Sequence, residues 1–108
     1  MSKKGLLVYC TVPSQKVGRE IASELVSNHL AACCNIIPGL TSIYEWQDKI
    51  EEDEELLLLI KTTEEKYPQL EKKIGELHPY DVPEIIAAEI HRGLAPYIQW
   101  LDETTKGE

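Results

Sequence analysis

Residues 40–62 read LTSIYEWQDKIEEDEELLLLIKT, and two different rhythms meet in them. Through Trp46 the period is two, so Leu40, Ser42, Tyr44 and Trp46 share one face of a strand, and Thr41, Ile43 and Glu45 the other. From Glu55 to Thr62 the run ELLLLIKT is continuously apolar, the pattern of a strand covered on both sides. Residues 47–50 are then expected to form the turn of a hairpin, with Asp48 at a left-handed position that its short polar side chain tolerates. The acids of EEDEE (51–55) read as solvated charge on the hairpin shoulder, where they discourage edge-to-edge pairing. They lack the alternating oxygen ligands and the turn glycine of a calcium loop.

Working outward, the hairpin's first strand reaches back to Cys33, with a bend at Pro38-Gly39. GLLVYCTVP (5–13) is a short apolar, β-branched run closed by proline and suits a buried strand. Ser14 can cap a helix running to about Leu30, with Val17, Ile21, Leu25 and Val26 as its apolar stripe. Thr63 with Glu64 and Glu65 signals a second helix, whose stripe is Tyr67, Leu70, Ile74 and Leu77, although Pro68 delays the regular turns. That helix stops before Pro79. EIIAAEIHRG (84–93) reads as a strand closed by glycine and LAPYIQWL (94–101) as a short last helix with Pro96 in its first turn. The order is βαββαβ plus a C-terminal helix, which matches the α+β, ferredoxin-like split βαβ arrangement of two helices on one face of a four-stranded sheet. The other face then carries more apolar surface than a soluble monomer usually exposes, which predicts oligomerisation through that face or the hairpin edge.

At 108 residues the chain fits one domain over 1–108. Lys and Arg number 11 against 19 Asp and Glu, a formal net charge of -8 that repels phosphate backbones and anionic membranes, so neither nucleic acid nor a membrane is expected as a partner. No stretch approaches the roughly 20 apolar residues of a membrane span, and the opening MSKKGLLVYC lacks the apolar core and cleavage site of a signal peptide, so a cytoplasmic location is expected. Three cysteines, with Cys33 and Cys34 adjacent and no CxxC spacing, fit reduced thiols. Adjacent residues of a strand point to opposite faces, so Cys33 and Cys34 are poor partners for one metal.

Two groups of residues carry candidate chemistry. Cys10 and His78 offer a thiolate and an imidazole, a pair that favours copper or zinc over magnesium or calcium. The competing reading makes Cys10 a small core residue and His78 a helix-end cation on the last carbonyls. The segment LHPYDVPEI (77–85) is a loop stiffened by two prolines, and it either presents Tyr80, Asp81 and Glu84 to a ligand or only makes a tight crossover. Catalysis finds no support: there is no Gly-rich phosphate loop, nucleophile elbow or HExxH, and nothing supplies an oxyanion hole for a Cys10–His78 pair. A binding protein is expected, not an enzyme.

LAACCNIIPG (30–39), TSIYEW (41–46) with KIEEDEE (49–55), LLIKTT (58–63) and HPYDVPEI (78–85) together resemble the CutA divalent-cation tolerance family, in order and across nearly the whole chain. The resemblance implies a ferredoxin-like protomer with a long hairpin and a PII-like homotrimer in which each hairpin adds to the next sheet. It also implies a protein of divalent-cation tolerance that requires no cofactor and binds copper(II) or another divalent cation. The family's proposed metal ligands carry over as Cys10 and His78, while Leu77 stands where a further histidine is expected, which reduces a three-ligand set to two. Asp48 stands where relatives often have glycine. The likeness to PII trimers implies an alternative, a regulatory trimer binding a small molecule in clefts between subunits, with Trp46, Lys61, Tyr80 and Glu84 as the cleft candidates. A third reading is a stable platform for protein interactions.

Overall fold

The structure is a computed structural model that describes residues 4–106, so the ends of the domain expected over 1–108 lie outside the described residues. Its elements follow the expected order: β1 (Gly5–Val12), α1 (Gln15–Ser27), β2 (Cys33–Trp46), β3 (Lys49–Thr63), α2 (Tyr67–Leu77), β4 (Ile85–Glu89) and α3 (Ala95–Lys106). The strands form one four-stranded sheet in the order β2-β3-β1-β4, with every neighbouring pair antiparallel. With β3 inserted between β1 and β2, the two βαβ units are split, which is the ferredoxin-like layout.

One sheet face is sealed by α1 and α2. Leu6, Val8 and Cys10 of β1 and Leu58 and Ile60 of β3 alternate toward Ile21 and Leu25 of α1 and Leu70 and Ile74 of α2. Each fully buried aliphatic side chain contributes about 1.5–3 kcal/mol relative to exposure, so this layer is the main source of the protomer's stability. Gly18 lets α1 sit close on the sheet, since a Cβ there would stand 3.3 Å from Val12 Cγ2 and 3.4 Å from Leu58 Cδ2. The Ser14 side chain accepts a hydrogen bond from the Val17 amide, as expected of the N-cap. The helix ends at Ser27, earlier than the expected Leu30, because His29 takes a positive φ of 60°. The His29 amide then bonds the Val26 carbonyl and the Leu30 amide the Leu25 carbonyl, the paired closure of a Schellman motif.

Three other boundaries differ from the sequence reading. The turn is confined to Gln47 and Asp48, at φ 52° and 65°, and β3 begins at Lys49, so EEDEE lies inside the strand. A two-residue turn with both φ positive matches the right-handed twist of the paired strands, whereas a wider turn would end their ladder early. β4 stops at Glu89, short of the expected Gly93, as it reaches the start of β1: Glu89 faces Leu6, and the Ile90 amide makes one last bond to the Gly5 carbonyl. α3 runs on to Lys106 instead of ending at Leu101, held by Leu101 and Thr105, both buried where α3 packs against β3 and β1. The bend in β2 falls where expected, as the register slips between Ile37 and Leu40 and Gly39 takes φ 87°.

Beyond the helices the β2–β3 hairpin continues alone. A fifteen-residue strand spans about 50 Å, which is comparable to the 48 Å long axis of the protomer. No helix is long and apolar enough to cross a membrane among the described residues.

Candidate functional site

The loop after α2 is fixed by one histidine. His78 caps α2, its amide donating to the Ile74 carbonyl at 2.8 Å, and its extended backbone is what the following Pro79 requires. Its ring does not return to the helix's last carbonyls. The Tyr80 amide donates to Nδ1 at 3.2 Å, so that nitrogen carries a lone pair, and Nε2 therefore bears the proton and donates to the Thr11 carbonyl at 2.8 Å. The ring also packs on Tyr80, with centroids 4.6 Å apart. His78 is thus a buried strut that ties the loop to the end of β1.

Anchored in this way, Tyr80 points toward the hairpin and its hydroxyl donates to Glu55 Oε2 at 2.7 Å. Glu55 is 8% exposed, unusual for a carboxylate, and it faces an open cleft of about 530 Å³. The hairpin register determines what joins it. Glu55 stands opposite Leu40, Asp53 opposite Ser42 and Glu51 opposite Tyr44, so alternate acids of EEDEE share a face with Tyr44 and Trp46. Trp46, Tyr44 and Asp53 line the cleft on the hairpin side, and Tyr80, Asp81 and Glu84 line it on the loop side. Tyr44 donates its hydroxyl to Asp53. That bond, with burial and neighbouring carboxylates adding to it, raises the Tyr44 phenol to about 12. The Tyr80 phenol is raised as well, chiefly by burial and then by its bond to Glu55. Both tyrosines are therefore neutral donors at ordinary pH, and no Lys, Arg or His lines the cleft among the described residues.

Of the cleft residues named from sequence, Trp46, Tyr80 and Glu84 come together here. Lys61 does not line the cleft: it lies six positions along β3 from Glu55, about 20 Å, and its ammonium donates to Asn35 Oδ1. Tyr44, Asp53 and Glu55 join the cleft although sequence reasoning does not single them out as ligand residues. Their signal is the position of the turn, since centring it on residues 47 and 48 puts Tyr44 and Trp46 on the same face as Glu51, Asp53 and Glu55.

Cys10 lies on the opposite, helix-covered face. Its thiol is fully buried, and burial, with Glu84 and other acids adding, pushes it up to about 12. Cys34 projects toward the same core and is raised to about 12 by burial, with Cys33 next in effect. All three cysteines are free. Among the described residues no group of three or more His, Cys, Asp or Glu side chains is placed to hold a metal ion.

Comparison with known proteins matches residues 6–104 to the family model of the CutA1 divalent ion tolerance protein. A protein named divalent-cation tolerance protein CutA, from Thermus thermophilus, is 54% identical over 92% of this chain and 96% of its own. Protein CutA of Homo sapiens is 47% identical over 91% of this chain, which spans 55% of the human protein. The crystal structure of CutA1 from Oryza sativa superposes with a TM-score of 0.93 at 41% identity, covering 95% of this chain and 94% of that one.

Proposed function

We propose, from the premise that this chain belongs to the CutA1 divalent ion tolerance family, that it serves divalent-cation tolerance as a homotrimeric binding protein whose ligand site is the acidic, aromatic cleft at the hairpin base. The observation that carries this reading is Glu55. A carboxylate with so little exposure costs several kcal/mol unless it is compensated, and its one hydrogen-bond partner among the described side chains is the neutral hydroxyl of Tyr80. A cation in the cleft supplies the missing charge. We take the activity to be binding, in keeping with a family named for tolerance of divalent ions.

Copper(II) ligation by Cys10 and His78 receives less support. Copper needs access to a sulfur and a free imidazole nitrogen, whereas Cys10 is fully buried and both ring nitrogens of His78 are engaged. Leu77 leaves that pair without a third ligand. The cleft reading is closer to the PII-like alternative, a ligand held between subunits that adjusts a regulatory trimer.

The trimer is supported by the apolar side chains that the protomer leaves in water: Ile43 and Ile50 on the hairpin, Val82 on the loop and Ile86 on β4. Both sheet edges, β2 and β4, also offer unpaired backbone for a neighbouring strand. We place the trimer in the cytoplasm, which cell fractionation tests. Light scattering behind size exclusion at micromolar concentration is expected to give three times the chain mass of 12.3 kDa, and a monomer contradicts the assembly. Isothermal titration with copper(II) tests the site. Binding weakened by Glu55→Gln and indifferent to Cys10→Ala supports the cleft, while loss in Cys10→Ala alone moves the cation to Cys10 and His78.

A further inference from the structure

We infer that the cleft selects a small organic ammonium ion, seated against the Glu55 carboxylate and walled by the rings of Trp46, Tyr44 and Tyr80. This inference rests on the reading that the cleft is the ligand site, and it names the class of ligand.

The walls and the acids make different demands. Asp53 and Glu55 each have one oxygen already accepting a tyrosine hydroxyl. Small hard cations require six or more oxygens and shed water reluctantly, and copper or zinc takes three or four protein ligands. Among the described residues no set of three such side chains is grouped for either task. An alkylammonium has no such requirement. Alkyl substitution on the nitrogen weakens its hydration and spreads its charge over the adjacent methyl or methylene groups, and such an ion is stabilised by one carboxylate together with aromatic faces, the combination that recognises quaternary ammonium ligands elsewhere.

The tyrosine geometry supports the same class. Each phenol donates its proton to a carboxylate, which makes its ring slightly more electron-rich and strengthens its attraction to a cation. Trp46, the best cation–π residue, is 61% exposed at the rim and free to cover an entering ligand. Glu84 and Asp81 on the loop side add negative potential that draws cations in. A volume of about 530 Å³ falls in the range of small-molecule sites and leaves room for substituents on the nitrogen.

The test titrates the full chain with tetramethylammonium chloride, using sodium chloride at equal ionic strength as the blank and tryptophan fluorescence with calorimetry as the readouts. Saturable binding is expected. Glu55→Gln keeps an acceptor for Tyr80 and is expected to weaken binding about tenfold, the effect of one lost charge–charge contact in a partly dry site. Trp46→Leu changes an exposed side chain, so it preserves the fold, and a loss of roughly threefold to tenfold is expected. If magnesium or copper(II) saturates in a Glu55-dependent manner while tetramethylammonium does not, the ammonium class is overturned and the cleft remains the cation site. If none of them binds in a way that Glu55→Gln or Trp46→Leu alters, both readings fall.

Discussion

The two faces of β3 are built from one strand and behave as different materials. Toward α1 and α2, Leu58 and Ile60 join a layer with no accessible surface at either residue. Along the hairpin the same strand carries Glu51, Asp53 and Glu55 beside Tyr44 and Trp46, with Asp53 exposed to water and Glu55 nearly covered. The dry face holds the protomer together and keeps its thiol inert, whereas the wet face carries charge it does not neutralise. Asp53 and Glu55 accept neutral tyrosine hydroxyls there, and it is on this contrast that we propose the ligand site on the hairpin side.

The largest effect that can break this contrast is a cavity in the dry face. Leu58→Ala is expected to cost about 2–5 kcal/mol of stability, read from denaturant unfolding, whereas Glu52→Ala on the exposed hairpin is expected to stay within about 0.5 kcal/mol. Comparable losses would mean that the hairpin is part of the protomer's core.

A second test concerns the thiol. With Cys10 raised to about 12, its thiolate fraction at pH 8 is near one in 10⁴, and burial blocks reagents as well. Iodoacetamide, followed by mass spectrometry, is expected to leave Cys10 unmodified until guanidinium unfolds the chain. Fast labelling of native Cys10 would remove the barrier that makes it a simple core residue.

The third test is pH. The Tyr44 phenol is raised from 10.0 to about 12, so folding favours its neutral form. Its contribution to stability is complete below pH 10 and is lost as pH rises through about 12. Absorbance at 295 nm is expected to show one tyrosine ionising near pH 12, and Asp53→Asn is expected to move that titration back toward 10. An unmoved titration would mean that the bond to Asp53 is not its main cause.

The smallest effect sits at the hairpin tip. Gln47 and Asp48 both have positive φ, a conformation that Asn-Gly adopts with less strain. The double change Gln47→Asn, Asp48→Gly is expected to raise stability by up to about 1 kcal/mol in thermal unfolding while leaving the cleft's ligand affinity unchanged.

Much of this contrast was legible in the sequence. Leu58 and Ile60, Ile21 and Leu25, and Leu70 and Ile74 announce the dry face by period alone, and Pro38-Gly39 announces the bend. Trp46, Tyr80 and Glu84 were named as cleft candidates because they lie in motifs that match the family, and these three line one pocket of the protomer. Glu55 was not. Its reading as solvated charge followed from treating EEDEE as a shoulder outside the ladder, whereas the strand already starts at Lys49 and brings Glu55 opposite Leu40 at the base of the hairpin. The Lys61 side chain turned to Asn35 for a reason equally invisible in one dimension, since that pairing exists only through the β2–β3 register. The strut made by His78 needs Thr11, 67 residues earlier, to be its neighbour.

The most direct test of where the cation goes is anomalous scattering from a crystal soaked in copper(II). The account predicts that His78 keeps its bonds to Thr11 and Tyr80 and that no copper settles on Cys10. A peak about 2.0–2.3 Å from Cys10 Sγ and a His78 ring nitrogen would contradict it.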